Sequence, residues 1–275
     1  MNTKVLILWS LLVCASAAPL VAQTTSYGSV YRKDYEKEVN GPHGECRTTW
    51  RSLDDGLEYR AITCLGGDEL DLHVVRIDPK LWRLDTDVSR GVYASTLARA
   101  KSAPFVINAN FFDRSRMPLG VVFTSGDEVS PLRSTSWQSI FTVDDDGKAR
   151  IVLPTQWSKY RRDAWMAVQA GPRLVVGGHT ASVHNTYAAA RAGVCIQKSG
   201  KVLFFATPQD RKFHVTEIAR VARRGENDGG LACHDAMLFD GGHSAQIFAA
   251  GSGSSTVVSI DADPVPVFVY AKPRR

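Results

Sequence analysis

The chain has little with which to cross a membrane, bind a metal or grip nucleic acid. After residue 22 no stretch approaches the roughly 20 apolar residues a spanning helix needs. Neither C-x-x-C nor H-E-x-x-H spacing occurs, which removes the recognised zinc and dithiol motifs, and Gly242-His-Ser-Ala-Gln246 lacks the final glycine of a G-x-S-x-G serine-hydrolase elbow. Dense like-charge runs are missing too. The pairs Arg161-Arg162, Arg223-Arg224 and Arg274-Arg275 are scattered over a 275-residue chain of formal charge +5, which describes a solvated surface better than a nucleic-acid footprint. No 20–50-residue repeat is present, which excludes solenoids and propellers. No cofactor and no metal are expected.

What is present begins with an export pattern. Lys4, the apolar stretch Val5 to Val13 and the small residues Ala15-Ser16-Ala17-Ala18 read as a signal peptide over residues 1–22. Its removal takes the formal charge from +5 to +4 and implies a periplasmic or secreted protein. Residues 23–44 are polar and aperiodic and read as an exposed leader, and 45–275 as a single domain. No membrane contact is expected once the signal is removed, and nothing indicates an oligomeric state.

Cys14 leaves with the signal, so four of the five cysteines remain, an even number that favours disulfides in an exported chain. If Asp54-Asp55-Gly56 is a three-residue hairpin loop with Leu53 facing Leu57, Cys46 falls opposite Cys64. Cys195 with Cys233 follows by elimination, with free buried thiols as the alternative.

Strand patterns recur, at 45–52 and 58–64, 69–77, 104–109, 119–124, 139–143, 149–153, 165–169, 173–176, 193–197, 201–206, 236–239, 255–260 and 265–271. Helices are expected over 92–101 and over 215–224, the latter with Thr216 as N-cap, Gly225 as stop and an Ile218, Val221, Ala222 stripe. The fold class is α+β: a mixed, largely antiparallel sheet core with a few covering helices.

The stretch Ala236-Met-Leu-Phe-Asp-Gly-Gly-His-Ser-Ala-Gln246 is the most informative. An apolar strand stops at an acid, two glycines able to turn sharply, an imidazole and a hydroxyl. It is either a glycine turn capped by Asp240 or one wall of a site. A second polar cluster ends another strand, Val106-Ile-Asn-Ala-Asn-Phe-Phe-Asp113. Asn108 and Asn110 face one way and offer donors and acceptors to a sugar or phosphate, or else cap turns. Phe111 and Phe112 are assigned to the core, and Asp113 is either a second carboxylate or a strand-end cap. Arg191, just before a central strand, is either an ion-pair partner or a fork for phosphate oxygens.

Taken in order, Asn108-Ala-Asn-Phe-Phe-Asp, Pro118-Leu-Gly-Val-Val, Gln169-Ala-Gly-Pro-Arg-Leu, Arg191-Ala-Gly-Val and Leu238-Phe-Asp-Gly-Gly-His-Ser-Ala resemble the phosphodiester glycosidase domain over residues 70–270. That family includes the lysosomal enzyme that uncovers mannose 6-phosphate by removing N-acetylglucosamine, and many exported bacterial proteins. The resemblance implies a hydrolase of a sugar-1-phosphodiester linkage in cell-envelope or extracellular polysaccharide. The catalytic candidates are Asp240, Arg191 and His243. Asn108, Asn110, Asp113, Gln169, Gly241, Gly242 and Ser244 are substrate-binding candidates. Arg191 is expected to hold the phosphate with the Gly241-Gly242 N–H groups as a supporting nest, Asp240 to be nucleophile, base or stabiliser of the cationic sugar, and His243 to shuttle a proton. Two departures stand out: Ala109-Asn110 where the family commonly has Gly-Gly, expected to narrow the pocket, and His243 where it has a third glycine.

Two other classes compete. A non-catalytic polysaccharide- or wall-binding protein would use Trp50, Trp82, Trp137, Trp157 or Trp165 as a sugar platform, against core packing as the commoner fate of tryptophan. A metal-dependent hydrolase would use His234, Asp235, Asp240 and His243.

Overall fold

The computed structural model describes residues 49–65, 68–183, 187–251, 253 and 255–274. They form three sheets. One has eight strands, in the spatial order Arg51–Asp54, Leu57–Leu65, Asp68–Ile77, Val202–Ala206, Ala192–Gln197, Cys233–Leu238, Arg173–Val176 and His179–Thr180. A five-stranded sheet runs Asp127–Ser130, Val122–Thr124, Ala164–Ala170, Ser139–Asp144 and Ala149–Val152. The other runs Thr256–Ile260, Ile247–Ala250, Phe105–Asn108, Val265–Pro273 and Trp82–Val92. The β-rich α+β expectation holds, but "mixed" does not. Every strand pairing among the described residues is antiparallel, because neighbouring strands are joined by hairpins and by connections that return the chain in the opposite direction.

Strands are buried on both faces because each sheet turns one face to a common core and covers the other. Phe204, Val75, Phe141, Val168, Ile107, Val269 and Phe239 meet in that core. On the far side of the eight-stranded sheet, Phe205, Val74 and Leu203 pack under Ile218, Val221 and Ala222 of the helix Val215–Arg223, the stripe read from sequence. Adjacent residues thus serve opposite faces, as the period-2 pleat requires. The helix Ala94–Lys101 covers Val106 and Phe268 of one five-stranded sheet, and Trp157 covers Phe123 and Ile140 of the other.

Several sequence expectations shift. The helix over 215–224 begins at Val215, so its N-cap is His214, not Thr216. The Glu217 carboxylate accepts from the His214 backbone N–H at 2.5 Å, relieving an orphan donor of the first turn. The first hairpin pairs Arg51 with Tyr59 and Ser52 with Glu58 as expected, but an irregularity lets Asp54 rather than Leu53 face Leu57, leaving a two-residue turn at Asp55-Gly56. Cys46 lies outside the described residues, and the Cys46–Cys64 pairing with it. Cys195 and Cys233 are joined, with S–S 2.07 Å.

Candidate active site

Two neighbouring strands set the site. Ala192–Gln197 and Cys233–Leu238 run antiparallel with Gly193 opposite Leu238, and the hydrogen bond from Phe239 N to Ala192 O (2.8 Å) carries the register one step further. One more step brings Arg191 opposite Asp240. Directly opposed residues of an antiparallel pair project to the same side, and both line one cleft of about 570 Å³.

Arg191 is buried and tethered rather than ion-paired. Its Nε donates to the Phe213 carbonyl at 2.8 Å and one Nη to the Tyr187 carbonyl at 2.7 Å. The ion-pair reading fails, since no carboxylate is within salt-bridge distance among the described residues. Burial pulls its pKa below the usual arginine value, opposed by Tyr187 and Glu217, yet a guanidinium stays charged at any ordinary pH. A fixed cation that lines a cleft and makes no direct ion pair is what an anion needs.

Asp240 is the one carboxylate lining that cleft among the described residues. Burial lifts its carboxyl from 3.8 to about 6, against the Ser244 hydroxyl and the Gly241 N–H, which pull it down. Desolvation therefore dominates, and the group changes charge close to neutral pH.

The loop beyond Asp240 is shaped by the backbone. A Cβ on Gly241 would stand 2.7 Å from the Ala190 carbonyl oxygen, and Gly242 has φ +58° with open space around it. Gly242 N donates to Ala190 O at 2.8 Å. The expected two-amide anion nest is thereby corrected, because the Gly242 N–H is committed to the protein and the Gly241 N–H serves Asp240. Ser244 stays beside the carboxylate. His243 does not line the cleft. Its side chain is 89% exposed, 3.8 Å from the Asp263 carboxylate, so it is not placed to shuttle a proton for Asp240.

The remaining candidates support the site from behind. Asn108 Nδ2 donates to the Asp240 carbonyl at 2.7 Å, and its Oδ1 accepts from Gln246 N at 2.9 Å. Asn110 is buried with its Nδ2 on the Val121 carbonyl and no partner on Oδ1. Neither asparagine lines the cleft, so the Ala109-Asn110 departure does not narrow it. Gln169 is fully buried and saturated: Oε1 accepts from Val121 N and Arg133 N, and Nε2 donates to Arg133 O and Gln138 Oε1. Substrate contact by Gln169 is excluded in this arrangement. Asp113 caps an exposed turn by accepting from Ser115 N and Met117 N, away from the cleft.

Sequence reasoning missed part of the lining. Trp137, 52% exposed, meets Phe111 at 5.5 Å between ring centroids, and both face the cleft. Trp137 was one of several scattered tryptophans, and Phe111 only partly joins the core. Trp82 and Trp157 are core residues, whereas Trp50 has the Arg60 and Arg76 guanidiniums over its ring and Trp165 lies under Arg83. Arg173 also lines the cleft but is engaged by Asp235 at 3.0 Å. That bond and the His234–Asp235 contact at 2.8 Å occupy two members of the suggested metal set. Among the described residues no group of three or more His, Cys, Asp or Glu side chains is placed to hold a metal ion.

A family model described as phosphodiester glycosidase matches residues 101–271. No curated protein matches at a significant level. Solved structures share the fold, two of them over more than four fifths of this chain. A hypothetical protein from Synechocystis has TM-score 0.60 at 13% identity, over 86% of this chain and 64% of that one, so the chain spans under two thirds of that protein's length. The catalytic domain of zebrafish N-acetylglucosamine-1-phosphodiester alpha-N-acetylglucosaminidase, auto-inhibited by its pro-peptide, has TM-score 0.61 at 14% identity, over 83% of this chain and 88% of that domain.

Proposed function

The chain belongs to the phosphodiester glycosidase family, and on that premise we propose that it hydrolyses a glycosyl-phosphate (sugar-1-phosphodiester) linkage with Asp240 and Arg191 as the acting groups. The observation that carries this reading is a lone, half-buried carboxylate and a tethered arginine at opposed positions of one strand register, lining the same cleft.

Ordinary glycoside hydrolysis needs two carboxyl groups, one of them a proton donor to a poor leaving group. A phosphate monoester leaves readily, so a second carboxylic acid is dispensable, and a fixed cation that offsets the developing charge takes its place. Asp240, ionised above about pH 6, takes a proton from water. The water oxygen bonds to the anomeric carbon, the bond from that carbon to the phosphate oxygen breaks, and its electron pair leaves with the phosphate beside Arg191. A base titrating near working pH suits this step. No second carboxylate lines the cleft among the described residues to activate water against a covalent intermediate, which favours base over nucleophile and an inverted sugar product. Trp137 and Phe111 supply an aromatic face for the sugar ring.

The export-like pattern at Lys4 and Val5 to Val13 and the Cys195–Cys233 bond support a periplasmic or secreted site of action, with cell-envelope or extracellular polysaccharide as the substrate class. The test is to offer purified protein sugar-1-phosphate diesters, nucleotide sugars and phosphodiester-linked glycans, and follow free sugar by NMR. Release of free sugar of inverted configuration is expected. Binding of glycans with no release from any of them would transfer the assignment to the polysaccharide-binding class.

A further inference from the structure

Beside the Asp240 loop lies a second hollow of about 360 Å³. It shares Tyr187, Ala189 and Gly242 with the cleft, and Gln209, Lys212, His243 and Asp263 complete its polar walls. A phosphodiester carries an organic group on each side of phosphorus, so an enzyme that attacks the sugar side must seat the other group next to the phosphate. This hollow has that position. Lys212 directly precedes Phe213, whose carbonyl holds Arg191 Nε at 2.8 Å. On the opposite strand, Gly242 and His243 follow Asp240 by two and three residues.

The wall chemistry is specific. Gln209 Nε2 is committed to the Ala245 carbonyl at 3.0 Å, leaving its Oε1 as an acceptor. Asp263, the one carboxylate in the walls, has the His243 ring 3.8 Å away, and its backbone N–H bonds the His243 carbonyl at 2.9 Å, which ties the two loops to each other. Lys212 has no ion-pair partner among the described residues. The geometry points to this hollow as the aglycone subsite, built for a hydroxylated group bearing a second anion, a phosphate or a carboxylate, with Lys212 reading the anion and His243 and Asp263 reading the hydroxyls. This assignment rests on the glycosyl-phosphodiester reading and gives His243 a role in selecting the leaving group.

Three diesters of one sugar test it: a methyl phosphate, one whose aglycone ends in glycerol phosphate, and one ending in glycerate. The wild type is expected to favour an anionic aglycone, with the phosphate and glycerate arms showing which anion is read, and Lys212→Ala to lower the anionic-to-neutral ratio of kcat/KM about tenfold, the scale of one charge-assisted hydrogen bond. In parallel, free glycerol phosphate and free glycerate are titrated into both proteins by calorimetry, expecting weaker binding by Lys212→Ala. Turnover of all three diesters at a ratio unmoved by the substitution overturns the subsite and spares the activity. Lys212-dependent binding with no turnover of any diester overturns the activity and spares the subsite. Absence of both Lys212-dependent binding and preference overturns the subsite.

Discussion

The Asn108 carboxamide donates to the main-chain carbonyl of Asp240 at 2.7 Å while its oxygen takes the Gln246 N–H at 2.9 Å, so one buried side chain grips both ends of the loop that begins at the reactive carboxylate. Asn108→Ala strands a part-buried carbonyl and a buried N–H, the latter costing about 1–3 kcal/mol. The expected result is a lower unfolding temperature together with a fall in kcat that exceeds any change in KM. Wild-type kcat in the folded variant would contradict the clamp.

Titration of Asp240 sets two pH dependences of opposite sense. Turnover needs the carboxylate, so kcat/KM is expected to fall as pH drops through about 6. Stability runs the other way: the folded pKa is raised above the unfolded value, so the native state holds the proton more tightly, and the contribution present below 3.8 is lost as pH rises through about 6. Asp240→Asn should therefore abolish turnover yet raise stability at about pH 8, by about 3 kcal/mol at most, from the 3.8-to-6 shift. Denaturant melts of both proteins at acid and alkaline pH check the sign, which reverses if the carboxylate is stabilised rather than desolvated.

Arg191→Lys keeps the charge and loses the fork that bonds Phe213 and Tyr187. A flexible ammonium is a poor replacement at such a site, and a drop in kcat/KM of about 100-fold is expected, with weaker inhibition by inorganic phosphate. Equal phosphate inhibition of wild type and variant would remove Arg191 from the anion.

The adjacent glycines separate two causes. Gly241→Ala drives a Cβ to 2.7 Å from the Ala190 carbonyl oxygen and must displace the loop, so activity should collapse. Gly242→Ala meets open space and costs only the left-handed backbone at φ +58°, about 1 kcal/mol. Activity assays and melting curves of the two variants should rank them in that order.

Trp137 is half exposed and packs on Phe111 at the cleft. Trp137→Ala is expected to raise KM several-fold, within the roughly 0.5–1.5 kcal/mol of an aromatic contact, with little change in melting temperature. Saturating glycan should also quench its fluorescence in the wild type.

Local pattern made much of this legible. The turns at Asp144 to Gly147 and at Gln197 to Gly200 form as their glycines suggest, and the Ile218, Val221, Ala222 stripe covers the sheet. The strand Trp82–Val92 escaped notice because Arg83, Asp85, Asp87 and Arg90 interrupt its apolar residues, as the edge position beside Val265–Pro273 permits. At the site, Asp240 and Arg191 could be picked out by residue type and position. The roles of Asn108, Gln169 and Asp113 could not, because an amide or carboxylate that binds sugar and one that satisfies a backbone loop have the same one-dimensional signature. Burial and partners separate them, and these depend on contacts such as Asn108 with Asp240, 132 residues apart.

The strand register behind Arg191 and Asp240 also governs which changes in chain length the protein can survive. Side chains alternate between faces, so one residue inserted into Ala192–Gln197 or Cys233–Leu238 turns the charged residue at that strand's end away from its partner. The Lys198 to Gly200 turn lies outside both strands and can lengthen without that penalty, whereas the connection at 224–230 is held by Glu226, which accepts from Trp50, Arg76 and Gln197. Natural length variation and engineered loop exchange should therefore concentrate in that turn.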